Sequence, residues 1–407
     1  MILIQGGRPF DVLVDGGKIV RVGKIADRAE TVLDARGLIV VPGLIDMHVH
    51  LREPGREDKE TIASGAAAAV AGGFTSVAAM ANSGRPCDDA AGVIYVLERS
   101  RRAGMAHVFP VGAVTRGLEG KELAELGSMA EAGAVAFSDD GHPILDSELM
   151  RRALEYARML DRPILSHCED TTLTRGAVMN EGRVSAELGL RGAPNAAEAI
   201  LAARDVYLAA LTGGHVHLCH VSARETVDVV RRAKKLGIRV TAEASPHHLT
   251  LTDERLRGYE SRFKMNPPLR TREDVEAVAE AVADGTIDAI ASDHAPHTVE
   301  EKERELAACP NGVVGLETTL GAVLTLTRIP FERAIEAMTA APARILGLRA
   351  KGRLEPGADA DLTLIDPEAT WTVDPAAFRS RGRSTPFEGM TLRGRARHVL
   401  VGGRLCF

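Results

Sequence analysis

Large rings are scarce in this chain. Aromatic residues make up 3% of its 407 positions, with one Trp, four Tyr and nine Phe. The core must therefore be packed from aliphatic side chains, and the chain lacks the stacking surfaces on which single-stranded nucleic acids are held. Cysteine is scarce too. Cys87, Cys168, Cys219, Cys309 and Cys406 are odd in number, widely spaced and form no CxxC pair, which excludes a disulfide scaffold and points to reduced thiols in the cytoplasm. No run of basic residues occurs and the formal net charge is −6, so there is no electrostatic footprint for a phosphate backbone. No apolar stretch reaches the roughly 20 residues that cross a bilayer; the richest run of small residues, 66–81, is broken by Gly72 and Gly73. The opening MILIQGGRPFDV shows no charged leader, apolar segment or cleavage site, and no secretory signal is expected. Nucleic acid and membrane are not expected partners.

What is present is an ordinary core-forming composition, 45% hydrophobic and 26% charged, in a chain long enough for a large barrel plus a smaller unit. Both ends read as short strands. FDVLV and KIVRVG flank Asp15-Gly16-Gly17, a hairpin signal, and the last fifty residues hold ADLTLID (360–366), WTV and HVLVGGRLCF. The expected organisation is one small β domain from residues 1–43 and 350–407, around a middle domain of 44–349. That middle alternates short apolar runs with amphipathic helical stretches. The runs are 44–50, 74–80, 107–114, 134–139, 163–167, 215–220, 238–243 and 287–293, with helical segments such as 57–72, 88–104, 146–160, 222–236 and 271–284 between them. Parallel strands need crossover helices, so eight such units predict a closed (β/α)₈ TIM-type barrel. An open doubly wound sheet would offer a Gly-rich phosphate turn after its first strand, and none is present.

The ligand-type side chains cluster at strand ends. His48, His50, Asp140, His167, His220 and Asp293 fall at or just past the C-terminal ends of five predicted strands, the face on which barrels carry their chemistry. In His48-Val49-His50 the two-residue repeat of a strand turns both imidazoles to one side, where they can share a zinc ion; two hydrogen-bonded polar residues in a strand is the plainer reading. His167 and His220 each add one candidate ligand. Their neighbours Cys168 and Cys219 are turned away by strand alternation and read as small buried residues. Asp140, in Phe137-Ser138-Asp139-Asp140-Gly141, can bridge two cations or simply form a turn, and both remain open. Asp293 can take a proton from an attacking water and return it to a leaving nitrogen. His215, His217, His247 and His248 read as structural.

The string His48-Val49-His50-Leu51-Arg52-Glu53-Pro54-Gly55 resembles the signature of dihydroorotases, in the amidohydrolase superfamily. The resemblance runs on through Phe137–Gly141, Ser166-His167-Cys168-Glu169, Ala242-Glu243, Pro246–Leu249, Lys264–Arg270, Ser292–His297, Val314–Thr318 and Ser384–Phe387. It implies a barrel with a small β-sandwich built from both termini. It also implies the reversible interconversion of N-carbamoyl-L-aspartate and L-dihydroorotate by a metal-bound hydroxide, with two Zn²⁺ per subunit. By the same resemblance His48, His50 and Asp293 hold one zinc, and His167 and His220 the other. Many relatives bridge the pair with a carboxylated lysine; no lysine lies in 134–141, so Asp140 is the expected bridge and Asp139 the fallback. Arg52 is expected to clamp the substrate carboxylate with a guanidinium fork, helped by Asn82 and His297, and Asn266 to contact the ring amides. Expected partners are the small-molecule substrate, a second copy of the chain, and aspartate transcarbamylase.

Two departures from the family pattern stand out. Met80-Ala81-Asn82-Ser83 replaces a usual Met-Pro-Asn-Thr, and His142-Pro143-Ile144-Leu145 follows Gly141; neither removes a proposed ligand. The rival enzyme readings are hydantoinase, dihydropyrimidinase and allantoinase, which commonly use the carboxylated lysine. The rival of another class is a non-catalytic dihydroorotase-like subunit of aspartate transcarbamylase, which would be expected to have lost ligands.

Overall fold

The computed structural model describes residues 1–407. At the N-terminus, Asp11–Asp15 and Lys18–Gly23 pair antiparallel with Asp15 opposite Lys18. The two turn residues, Gly16 and Gly17, both have positive φ (55° and 76°), which is the backbone that a tight hairpin between right-twisted strands requires. This hairpin joins Ile2–Gln5 and Thr31–Asp34 in a four-stranded sheet. A second four-stranded sheet takes Ile39–Pro42 from the N-terminal part and Leu362–Thr372, Thr391–Val401 and Arg404–Leu405 from the C-terminal part. Ile4, Val12, Val14 and Ile19 of the first sheet pack with Val40, Leu362, Leu364 and Leu400 of the second in one buried cluster. The two ends of the chain thus share a small β-sandwich.

The middle is the barrel. Its eight strands are Leu44–Val49, Phe74–Ala79, His107–Gly112, Ala136–Phe137, Ile164–Ser166, Val216–Leu218, Val240–Ala244 and Ala289–Ile290, lined up in chain order in one parallel sheet. The first and eighth meet through a parallel bridge between Val49 and His294, with His50 N–H donating to the His294 carbonyl at 2.8 Å. Asp46 reinforces this seam: its carboxylate accepts Ser292 N–H at 3.1 Å, and burial pushes its pKa up to about 6.

All eight expected runs are strands, but most end early. The residues after each strand have left the ladder, and those are the ones that carry the polar groups. The expected helices appear as Ile62–Ala71, Ala90–Ala103, Ser147–Met159, Arg224–Lys235 and Arg272–Ala283. The first starts later than position 57 because Thr61 is its N-cap, exchanging hydrogen bonds with Ser64. Glu60, just before it, is instead buried against Ser64, His294 and Ser380. The largest core cluster, 65 buried residues, contains only two aromatic side chains, Phe74 and Phe137, in keeping with the aliphatic packing the composition demands. No helix is long and apolar enough to cross a membrane.

Candidate metal centre

Six side chains from five strand ends meet in one buried pocket. None of His48, His50, Asp140, His167, His220 and Asp293 is more than 7% exposed. His48, His50 and Asp293 form one group whose ligand atoms lie within 4.8 Å of one another, and Asp140, His167 and His220 form a second. Asp140 faces both. Its Oδ2 lies 3.5 Å from His48 Nε2 and 3.4 Å from His50 Nε2, while its Oδ1 lies 3.5 Å from His167 Nδ1 and 3.2 Å from His220 Nε2. Asp139 turns the other way. It accepts Val114 N–H at 2.7 Å, Thr115 N–H at 3.0 Å and the Thr115 hydroxyl, and so braces the loop after the third strand.

The imidazoles are held by outer partners that decide which nitrogen faces inward. His48 Nδ1 bonds Glu243 Oε1 at 2.6 Å, His50 Nδ1 bonds the Asn82 amide oxygen at 2.7 Å, and His167 Nε2 bonds Glu169 Oε2 at 2.9 Å. His48 Nε2 is left buried with no hydrogen-bond partner. Imidazole nitrogens and carboxylate oxygens therefore converge on one small volume. The electrostatics of the pocket favour positive charge. Burial opposes a charged His167, yet its bonds to Asp140 and Glu169 raise it to about 10. Burial also opposes ionised Asp140 and Asp293, yet the surrounding histidines hold both well below the usual carboxylate range. An inward nitrogen without a partner, and imidazole and carboxylate donors on each side of a central carboxylate, fit divalent metal binding.

Strand alternation misplaces one pair here. His217 points into the barrel, bonding Glu243 Oε2 at 3.2 Å; by parity Cys219 should follow it inward and His220 should point out. The structure puts both at the centre. Cys219 keeps the inward parity, its sulfur within 4.8 Å of ligand atoms of His48 and Asp140, so the expectation that this thiol faces away is corrected. His220 reaches the pocket because its backbone is left-handed, with φ 33°. Arg52 (φ 60°) and Asp293 (φ 48°) share that uncommon conformation, a recurrent cost of aiming functional side chains.

A family model described as "Dihydro-orotase-like" matches residues 37–226. A curated dihydroorotase of Pelotomaculum thermopropionicum is 54% identical, covering 99% of this chain and 98% of its own length; that of Syntrophus aciditrophicus is 50% identical, covering 100% and 99%. The chain belongs to the dihydroorotase family. Among solved structures, the L-hydantoinase (dihydropyrimidinase) of Arthrobacter aurescens superimposes with a TM-score of 0.89 at 26% identity, covering 99% of this chain and 95% of that one.

The other residues expected from the dihydroorotase motifs are tied to the candidate ligands, to their outer partners or to nearby main chain. Arg52 Nε donates to the Pro296 carbonyl at 3.2 Å, and its guanidinium forms no ion pair; burial lowers its pKa to about 10, and it stays charged. Asn82 is committed on both sides, to His50 and, through Nδ2, to the Asp140 carbonyl at 3.0 Å. Asn266 Nδ2 donates to Glu169 Oε2 at 2.7 Å. His297 donates from Nε2 to the Asn311 carbonyl at 2.7 Å, with Lys59 Nζ 3.0 Å from its Nδ1. Burial and the Arg52 and Lys59 cations lower it to about 3, so it is neutral. His142 is exposed and contributes nothing here. Glu243 and Glu169 were given no role from the sequence. Both lie in the quoted motifs, and a carboxylate two residues past a candidate ligand or at the inward end of a barrel strand is the signal that marks them.

Proposed function

We propose that this chain is a dihydroorotase, interconverting N-carbamoyl-L-aspartate and L-dihydroorotate. The observation that carries the reading is Arg52. A charged guanidinium without an acidic partner is held at the edge of the candidate metal centre, where the carboxylate of dihydroorotate would need a cation and where the uncharged rings of hydantoin or dihydrouracil would not. The full-length likeness to curated dihydroorotases supports the same conclusion, as does the absence of a lysine from 134–141.

In this reading the chain is a metal-dependent cyclic-amide hydrolase. His48, His50 and Asp293 would hold one cation and His167 and His220 a second, with Asp140 facing both groups. When bound, the cations, proposed to be two Zn²⁺, supply Lewis acidity and lower the pKa of water in the site. Arg52 fixes the ring carboxylate so that the reacting atoms meet. Asn266 contacts the ring amides, and Asn82 keeps His50 aimed while lying near the carboxylate. His297, held neutral beside Lys59 and the Asn311 carbonyl, is the other side chain that helps hold this carboxylate. In hydrolysis a water oxygen bonds to the ring amide carbon, Asp293 takes its proton, the carbon–nitrogen bond breaks, and Asp293 returns the proton to the leaving nitrogen. In cyclisation the ureido nitrogen attacks the carbon of the protonated side-chain carboxyl, Asp293 accepts the nitrogen's proton and passes it to the departing hydroxyl, the carbon–oxygen bond breaks, and water leaves.

The test is a substrate panel. Dihydroorotate is expected to be turned over at least about 100-fold faster than hydantoin, dihydrouracil or allantoin, and Arg52→Ala to lower kcat/KM for dihydroorotate by about 10–100-fold, the worth of hydrogen bonds to a charged group, with metal content unchanged. A preference for an uncharged ring, or unaltered dihydroorotate kinetics in Arg52→Ala, overturns the assignment. All six proposed ligand positions are filled, which speaks against a silent subunit. A homodimer, an association with aspartate transcarbamylase, the cytoplasmic location and the domain limits at 43/44 and 349/350 are part of the same proposal; light scattering and co-purification read the first two.

A further inference from the structure

Two lysines lie buried beside the substrate end of this site without an acidic partner. Lys264 is 5% and Lys302 6% exposed, and neither forms an ion pair. Each ammonium is satisfied by main-chain carbonyls instead. Lys264 Nζ donates to Leu306 O at 2.6 Å, Ala307 O at 3.3 Å and Cys309 O at 2.7 Å. Lys302 Nζ donates to Gly312 O at 2.9 Å, Pro310 O at 3.1 Å and Lys264 O at 3.4 Å. Burying an ammonium is costly unless its N–H groups find acceptors. A carboxylate would meet that need from a single side chain. A cage of carbonyls drawn mostly from one loop makes the path of the loop itself the thing each ammonium specifies, much as a bound cation would.

The loop in question, 306–312, has few bonds of its own beyond Ala308 and Cys309 N–H to Glu305 O. It nevertheless returns to a precise place. Asn311 O accepts the His297 Nε2 hydrogen bond, Gly312 N–H donates to Lys264 O at 3.1 Å, and Val313 O accepts Ala295 N–H at 2.8 Å. Gly312 has φ +119°, and a Cβ there would sit 2.9 Å from Ala295 Cβ and 3.2 Å from His297 Nε2. The loop is thus pressed against the segment that carries His297 and the Pro296 carbonyl, to which Arg52 is tied.

We propose that Lys264 and Lys302 are positioning residues for recognition of the substrate carboxylate: their ammonium groups fold loop 306–312 into the support that fixes His297 and, through Pro296, Arg52. This rests on the reading of Arg52 and His297 given above. Neither lysine touches substrate, so the effect falls on binding.

The experiment uses full-length Lys302→Ala, saturated with zinc. Expected are a KM for dihydroorotate raised at least about tenfold with kcat within about threefold, unchanged metal content, and amide exchange in 303–314 accelerated at least about tenfold. Propylammonium, which can restore the missing N–H donors, returns both KM and exchange toward the parent values; tetramethylammonium, which has none, does not. Unchanged exchange in 303–314 overturns the caging role. Faster exchange with an unchanged KM overturns the link from loop to substrate. The underlying reading fails separately, when Arg52→Ala leaves dihydroorotate kinetics unaltered. If Lys302→Ala does not accumulate folded, Gly312→Ala displaces the same loop from the His297 side. It must then raise KM with kcat held, and a fall in kcat at constant KM overturns the proposal.

Discussion

Asp293→Asn is expected to lower dihydroorotate hydrolysis and carbamoyl-aspartate cyclisation together by about 10²–10⁴-fold, the usual worth of a positioned acid–base group. The fold should survive. Asp293 has a left-handed backbone, with φ 48°, and Asn is among the few residues that tolerate that region. Its amide oxygen can still face a cation, so at saturating zinc the metal content is expected to hold, while the group that carries the proton is gone. Against burial, the His50 hydrogen bond and the neighbouring imidazoles hold this carboxyl below the usual carboxylate range. Because the equilibrium constant is fixed, kcat/KM must fall by the same factor in both directions, which checks the assay. Parent rates in a fully metallated variant would remove the proton-transfer role.

The second large effect separates two adjacent aspartates. Asp140→Ala is expected to weaken metal binding by well over about 100-fold, beyond what the loss of an outer partner usually costs, and to abolish turnover at stoichiometric zinc. Its two oxygens face the two histidine groups from a single carboxylate, and no neighbouring side chain duplicates that. Asp139→Ala is expected to keep the metals. It strands the Val114 and Thr115 N–H groups, and each buried donor left unpaired costs about 1–3 kcal/mol of stability. Metal titration and thermal unfolding of the two variants give opposite signatures. Metal loss in Asp139→Ala with retention in Asp140→Ala would reverse the assignment.

The barrel was legible because each of its units repeats the same pattern: a short apolar run, a polar end, an amphipathic helix. The sandwich was legible from its hairpin glycines and from alternation at both ends. The candidate ligands were legible as histidines and aspartates at the ends of apolar runs, with His48 on the first strand and His50 just past its end. What could not be read was the orientation of side chains once the chain leaves the ladder. His220 and Cys219 cannot both face inward on a regular strand; the left-handed turn at His220 makes it so, and nothing in residue type alone announces that turn. Asp139 and Asp140 differ only in which way a two-residue step points. The outer carboxylates Glu243 and Glu169 find their histidines across 195 and two positions of sequence respectively, so only the nearer could be read locally. Lys264 and Lys302 are invisible as a pair, because their partners are main-chain carbonyls that carry no side-chain signature.

The central claim is that side chains from five strand ends share one cation centre. Anomalous diffraction at the zinc edge, on crystals of the zinc-loaded chain, tests it most directly. The account predicts two peaks, one within about 2.0–2.2 Å of His48, His50 and Asp293 and the other as close to His167 and His220, with one Asp140 oxygen turned to each. Peaks elsewhere, or none in this pocket after saturation with zinc, would contradict it.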